Sequence, residues 1–224
     1  MKNFKRAILF ANGDFKEHTS LVIRDDDFLV AVDGGLRHLI TLQLTPHLII
    51  GDLDSVTPQD LDLCIHWGVE IQRFPPKKDQ TDLELAVLEV LRRGFTDILI
   101  TAVTGGRLDH TVGNLAILAL PQLSGTYTRI VENGTTIYHV NDQIDFETYP
   151  GALVSLLPWG DAVTGVNTSG LQYALNDAIL YPWRTLGLSN VATCSQVSVS
   201  VKSGQLFLFH IRENPAISEE ENRV

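Results

Sequence analysis

Aspartate recurs in this chain where apolar runs stop. Asp33 opens Asp33-Gly34-Gly35 after "FLVAV" (28–32), and Asp52 and Asp54 flank Leu53 after "LII" (48–50). Asp14 follows Asn12-Gly13 after "AILFA" (7–11), and Asp82 closes "PPKKDQTD" (75–82). Alternate residues of an extended segment point the same way, so Asp52 and Asp54 can both face a pocket while Leu53 turns into the core. Paired hard oxygens suit Mg2+, which takes one or two carboxylates together with substrate phosphates. Alone, Asp-x-Asp fits an Asp turn equally well, and a single acid such as Asp14 or Asp82 fits a helix N-terminus. The same chemistry in four separate loops is harder to assign to capping.

Positive groups accompany these acids. Lys77 and Lys78 precede Asp82, and Arg107 follows Gly105-Gly106 in "TGGRLDH" (104–110). Backbone without a Cβ can approach a phosphate closely, and a guanidinium fork matches phosphate oxygens. The combined reading is Mg2+ with a polyphosphate. No GxxxxGK[ST] loop is present, and no G-x-G-x-x-G follows the first apolar run, which argues against a P-loop nucleotidase and a dinucleotide site. His18, His38, His47, His66, His139 and His210 show no metal-ligand spacing. His110 lies in the polar cluster, where a capping or structural role reads as well. No serine or cysteine has a nucleophile's context.

Positioning these residues requires strands that end at one edge. "AILFA", "FLVAV", "LII", "VEIQRF" (69–74), "DILITAV" (97–103) and "TRIVE" (128–132) are rich in Val, Ile, Leu and Phe, as strands buried on both faces are. Helical stretches fit between them. The clearest is "TDLELAVLEVLRRG", where Thr81 and Glu84 form a capping box, Arg92 and Arg93 suit the last turn, and Gly94 ends it. The alternation predicts a doubly wound, mostly parallel sheet, whose ligands bind at the carboxyl ends of the strands. Beyond residue 132 the rhythm changes to "TTIYHV", "ALVSLL", "QVSVSV" and "QLFLFHI", which predicts a small β-sandwich. "VSVSVKSGQLFLF" reads as a hairpin turning at Ser203-Gly204. The expected division is an α/β domain carrying the Mg2+–polyphosphate cluster over 1–132, a β-sandwich over 133–214, and an acidic, mobile tail over 215–224.

Composition sets the outer limits. The chain has 224 residues, 44% hydrophobic and 20% charged, ordinary values for a globular protein with a real core. A formal net charge of −10 argues against a nucleic-acid partner. Cys64 and Cys194 form no Cys-x-x-Cys pair, so neither a disulfide framework nor a zinc site is indicated, and a cytoplasmic protein is expected. The apolar run 7–11 is too short for a secretory signal, and no membrane span is expected.

Taken in order, "VDGGLRHL", "IIGDLDSV", "FPPKKDQTDLELAV" and "TGGRLDHTVGNLAIL" closely resemble the thiamin pyrophosphokinase family, and "NTSGLQYALNDAIL" and "LGLSN" extend the resemblance into the β half. The match runs from about residue 28 to 210. It implies a homodimeric enzyme that transfers diphosphate from ATP to the hydroxyl of thiamin, giving thiamin diphosphate and AMP. By resemblance, Asp33, Asp52, Asp54 and Asp82 form the acidic catalytic cluster, with Mg2+ on Asp52, Asp54 and Asp82. Gln80, Thr81, Arg107 and Asp109 are implied to contact the nucleotide phosphates or to help place the two substrates, with Asn114 a further candidate and Lys78 added to the nucleotide site as a charge at the same edge. Tyr173, Ser189 and Asn190 are implied to contact thiamin, in a β domain that closes over the other subunit's site. Tyr173 alone reads equally as a half-buried strand aromatic. Val191 departs from the acidic residue that commonly follows Ser-Asn in bacterial members. The alternatives are a related pyrophosphokinase for a pterin-like hydroxymethyl acceptor, an Asp-x-Asp glycosyltransferase, and a non-catalytic nucleotide-binding module.

Overall fold

A computed structural model describes residues 4–15 and 21–212. His18 and the expected tail, 215–224, lie outside the described residues. The chain divides into two compact units, Met1–Asn133 and Gly134–Val224.

The first unit contains the strands β1 (Arg6–Phe10), β2 (Asp27–Val32), β3 (Leu48–Gly51), β4 (Glu70–Arg73), β5 (Asp97–Thr101) and β6 (Tyr127–Glu132). Between them lie the helices α1 (Leu36–Thr41), α2 (Pro58–His66), α3 (Asp82–Arg92) and α4 (Leu108–Ala116). The strands lie in the order β6-β5-β1-β2-β3-β4, every pair parallel. A parallel sheet covered by helices hides both faces, which explains the unbroken apolar runs: β1 and β2 are buried along their whole length.

β4 departs from the expectation of a strand buried on both faces. It closes the sheet edge, and Glu70 and Arg73 are exposed. Charge covers this edge: Arg93 binds Glu70 at 2.6 Å and Glu89 at 2.7 Å, and Gln72 donates to Glu89 at 3.0 Å. Such an edge resists pairing with a foreign strand.

Two helices start as their sequences require. The Thr81 hydroxyl accepts the Glu84 N–H at 3.2 Å, and Thr57 accepts that of Asp60 at 3.1 Å before Pro58 at the first position of α2. α3 buries Leu83, Ala86, Val87 and Val90 and ends before Gly94 at φ +88°. Each buried Leu or Val contributes about 1.5–3 kcal/mol.

The second unit has two antiparallel sheets. One runs β12 (Asn190–Val191), β9 (Leu153–Pro158), β14 (Leu206–Ile211), β7 (Thr135–Val140); the other runs β11 (Ala178–Leu180), β10 (Val163–Ser169), β13 (Gln196–Ser200), β8 (Gln143–Glu147). Val154, Leu156, Leu206 and Leu208 from the first sheet and Val163, Val166, Val197 and Val199 from the second share one core. The α/β unit followed by a sandwich is the fold class the sequence predicts.

The expected hairpin at Ser203-Gly204 is not formed. β13 pairs with β8 and β10, and β14 with β7 and β9, so the turn carries the chain from one sheet to the other. The polar linker is held elsewhere: Lys202 N–H and Ser203 N–H both donate to Thr164 O. Both strands carry buried apolar faces that a sandwich core satisfies better than a mutual ladder would.

Among the described residues, no helix is long and apolar enough to cross a membrane.

Candidate active site

The strand order reverses between β1 and β5, and such a reversal leaves a crevice outside the carboxyl ends of the two strands. Backbone bonds keep the departing segments together. Ala11 N–H donates to Thr101 O at 2.9 Å, Gly13 N–H to Ala102 O at 2.7 Å, and Asp14 N–H to Thr104 O at 2.6 Å. A Cβ at Gly13 would collide with the carbonyls of Ala102 and Thr104, which is why glycine stands there. A cavity of about 610 Å³ opens at this edge.

Three acids meet in its wall. Asp33 follows β2, Asp52 follows β3 and Asp82 opens α3, and one carboxylate oxygen from each lies within 4.8 Å of the others. Asn12 ties β1 to this group: its Nδ2 is 3.3 Å from both Asp33 Oδ2 and Ser55 Oγ. The Ser55 N–H points to Asp33 Oδ1 at 3.4 Å.

The segment 52–54 is not extended, contrary to the alternate-residue reasoning. Leu53 has φ +64° and still enters the core, while the Asp54 N–H closes a tight turn onto Asp52 Oδ1 at 3.2 Å. Asp52 therefore meets Asp33 and Asp82. Asp54 is exposed on the same cavity wall and accepts the Ser55 hydroxyl at 3.0 Å.

The acids are electrostatically crowded. Burial raises the Asp82 pKa; Lys78 opposes this, and the charges of Asp52 and Asp33 add to it. Burial opposes the Lys78 charge, but Asp82 and then Asp52 outweigh it, so the lysine is held protonated. Asp82 Oδ1 is covered from solvent and makes no hydrogen bond of good geometry, although the Lys78 ammonium lies 3.0 Å away. A buried, under-bonded oxygen beside two other carboxylates fits a hard divalent cation.

The remaining predicted residues fall into groups. Lys78, Gln80, Thr81, Arg107, Asp109 and Asn114 line the cavity. The Thr81 hydroxyl caps α3, and Asn114 Nδ2 donates to Val103 O at 2.9 Å, so both side chains already hold backbone. Arg107 and Asp109 are exposed and paired, with Nε 3.1 Å from Oδ1.

Sequence reasoning gave no role to several residues that brace the crevice. Asn12 and Ser55 stood in polar clusters without an assignment. Glu132, 5% exposed at the end of β6, accepts the Val103 N–H at 2.9 Å; burial raises its pKa and the loop's donors oppose the shift. Arg37 donates to the carbonyls of Asn12 (2.9 Å), Gly13 (2.7 Å) and Gly34 (3.1 Å), and His38 Nε2 lies 2.9 Å from Gly13 O. The available signal was a charge next to an apolar strand end, which does not specify a partner.

In the β unit, Tyr173 and Asn190 come together. Asn190 is buried and its amide is bonded at both ends, accepting the Tyr173 N–H at 3.0 Å and donating to Tyr173 O at 2.8 Å. The Tyr173 side chain is 65% exposed, which removes its reading as a half-buried strand aromatic. Ser189, at φ +55°, is fixed by its N–H to Ser155 Oγ at 2.9 Å.

Comparison with known proteins agrees with both units. The family model "Thiamin pyrophosphokinase, catalytic domain" matches residues 19–131, and "Thiamin pyrophosphokinase, vitamin B1 binding domain" matches 141–206. This chain belongs to the thiamin pyrophosphokinase family. A thiamine pyrophosphokinase of Bacillus subtilis is 27% identical over 181 residues, covering 80% of this chain and 85% of that protein. Thiamine pyrophosphokinase 1 of Arabidopsis thaliana is 27% identical over 234 residues, covering 92% and 86%.

The fold matches crystal structures of the family. The Bacillus subtilis structure gives a TM-score of 0.82 at 24% identity, covering 94% of this chain and 100% of that one. The yeast structure gives 0.73 at 18% identity, covering 94% and 87%. Thiamin pyrophosphokinases transfer diphosphate from ATP to thiamin, and the chain is an enzyme of that kind.

Proposed function

We propose that the β1–β5 crevice holds Mg2+ and ATP, and that its residues direct the β- and γ-phosphates to the thiamin hydroxyl, with AMP leaving. The observation that carries this reading is the meeting of Asp33, Asp52 and Asp82 within 4.8 Å. They arrive from three separate segments at the switch point of a parallel sheet. These three acids would hold the metal, with Asp54 on the outer wall. Bound there, Mg2+ supplies positive charge against the polyphosphate.

The chain's own groups account for the rest. Gly106, at positive φ with open space beside it, lets backbone approach a phosphate without a Cβ in the way, while Gly105, also at positive φ, makes room for Asp14. Arg107 leaves its exposed partner Asp109 at small cost, since such surface pairs are worth about 0–1 kcal/mol. It then offers a fork to phosphate oxygens. Glu132, Asn114, Arg37 and His38 fix the two loops before substrate arrives, and transfer of this type depends mainly on positioning and electrostatics. An aspartate of the cluster accepts the hydroxyl proton.

For the acceptor, the Asn190 clamp presents the Tyr173 ring to solvent as a stacking face for thiamin, with Ser189 beside it. We take the enzyme to be a cytoplasmic homodimer. The support for a dimer is apolar surface on the β unit, where Trp183 is 74% and Leu186 55% exposed.

Incubation with Mg2+, ATP and thiamin, followed by separation of products, tests the reading. AMP and thiamin diphosphate are expected in equal amounts. ADP with thiamin monophosphate would overturn it.

A further inference from the structure

Lys78 occupies an unusual place for a loop lysine. Its neighbour Lys77 is exposed, whereas the Lys78 side chain is only 12% exposed, beside Asp52 at 13% and Asp82 at 22%. Its Nζ lies 3.0 Å from Asp82 Oδ1, 3.5 Å from Asp52 Oδ2 and 3.3 Å from Pro75 O. Those neighbours are a cation's ligand set: two carboxylates and a carbonyl. The carboxylates of Asp33, Asp52 and Asp82 would repel one another strongly with no positive charge among them, because their shelter from water weakens screening.

We infer that Lys78 is the resident counter-cation of this cluster, displaced from Asp52 and Asp82 by a divalent cation and thereby released to bind the polyphosphate. The inference rests on the Mg2+–ATP reading above and adds an order of events to it. A divalent cation held by Asp52 and Asp82 would stand within a few ångströms of an ammonium that is itself 3.0 Å from Asp82 Oδ1 and 3.5 Å from Asp52 Oδ2, and in a site sheltered from water two such positive charges repel strongly. The flexible four-carbon stem of lysine lets the head group move without moving the backbone.

Metal alone must send the ammonium into solvent and so binds weakly. Metal with ATP binds tightly, because the released ammonium gains phosphate oxygens. By linkage, ATP raises metal affinity by the same factor as metal raises ATP affinity.

Mn2+ binding, measured by electron paramagnetic resonance without nucleotide, tests this. Lys78→Met keeps the unbranched stem as far as the ε position and removes the ammonium, and should bind Mn2+ roughly tenfold more tightly than the unaltered protein. A non-hydrolysable ATP analogue should then raise Mn2+ affinity less in Lys78→Met than in the unaltered protein. Equal or weaker Mn2+ binding by the variant overturns displacement.

A second measurement needs no variant: the rate at which an amine-directed acylating reagent modifies Lys78, read by peptide mass spectrometry. Modification should be slow in EDTA, faster with Mg2+, and slow again with Mg2+ and the ATP analogue. A rate indifferent to Mg2+ overturns the proposal. Failure of the unaltered protein to bind Mn2+ even with the analogue sinks the Mg2+–ATP reading together with the displacement. Binding with the analogue but no tightening in Lys78→Met sinks the displacement alone.

Discussion

In the α/β unit, Asp33, Asp52 and Asp82 reach one crevice from three segments, and Asp82 Oδ1 is left without a hydrogen bond of good geometry. In the β unit, the Asn190 amide is bonded at both ends to Tyr173, and what reaches solvent is an aromatic ring. The first arrangement gathers negative charge around the Lys78 ammonium, where we propose that a divalent cation binds. The second uses its polar group internally and leaves a stacking face. Diphosphate transfer needs groups of the former kind, because electrostatic groups must be in place before the reaction. Recognition of a flat acceptor needs only the latter.

Removing charge from the α/β unit should have the largest effect. Asp52→Asn is expected to lower diphosphate transfer by about a hundredfold or more, with thermal stability unchanged or raised because a like charge has gone. Asp54→Asn should lose far less. Equal losses in the two variants would show that the 33–52–82 grouping is not the functional one.

Acid should act next, on the α/β unit through His38, whose pKa burial also lowers, and most strongly on the β unit through His210. His210 is fully buried in the β unit, with Nε2 2.8 Å from Thr148 Oγ1 and Nδ1 without a hydrogen bond, and burial lowers its pKa to about 4. The unfolded chain binds that proton near pH 6.5. Stability therefore falls as pH drops from about 6.5 to 4, by on the order of 3 kcal/mol.

In the α/β unit, Arg92 and then Gln72 and Arg93 hold Glu89 down to about 2 against burial. That contribution is complete above pH 4.5 and is lost only as pH falls towards 2. Thermal melts between pH 7 and 4 should show a decline that His210→Gln flattens. A decline of undiminished slope in the variant removes His210 as its source.

Breaking the clamp comes third. Asn190→Ala leaves two Tyr173 backbone groups without their partner and should cost about 1–3 kcal/mol. The KM for thiamin should rise roughly tenfold while that for ATP stays constant, as expected when about 1.4 kcal/mol of acceptor binding is lost. A matching rise for ATP would dissolve the division of labour between the units.

The smallest effect is expected at the α3 cap. Thr81→Ala should cost about 1 kcal/mol of stability. A loss of turnover larger than that seen for Asp54→Asn would give Thr81 a direct part in the reaction.

Much of this was legible before folding. Buried parallel strands carry their own signature, so "AILFA", "FLVAV" and "DILITAV" announced the sheet, and Thr81 with Gly94 bracketed α3. The hairpin at Ser203-Gly204 failed because β13 and β14 each carry an apolar face but belong to different sheets, and local pattern does not encode a strand's partner. β4 resembled its buried neighbours in sequence, yet its edge position left Glu70 and Arg73 to solvent.

The sequence by itself determined the chemical inventory: aspartates at strand ends, glycines beside Arg107, and the order of motifs that identifies the family. Residue type and spacing are local properties, and they survive without coordinates. The tertiary structure decided which acids meet. Leu53 at positive φ turned Asp54 outward, and the pairing of β2 with β3 and the packing of α3 against both brought Asp33 and Asp82 to Asp52. It also set Lys78 among those oxygens and closed Asn190 onto Tyr173. Hydrogen bonds and cation contacts need atoms within a few ångströms of one another, so they depend on distances that only the packed sheet fixes.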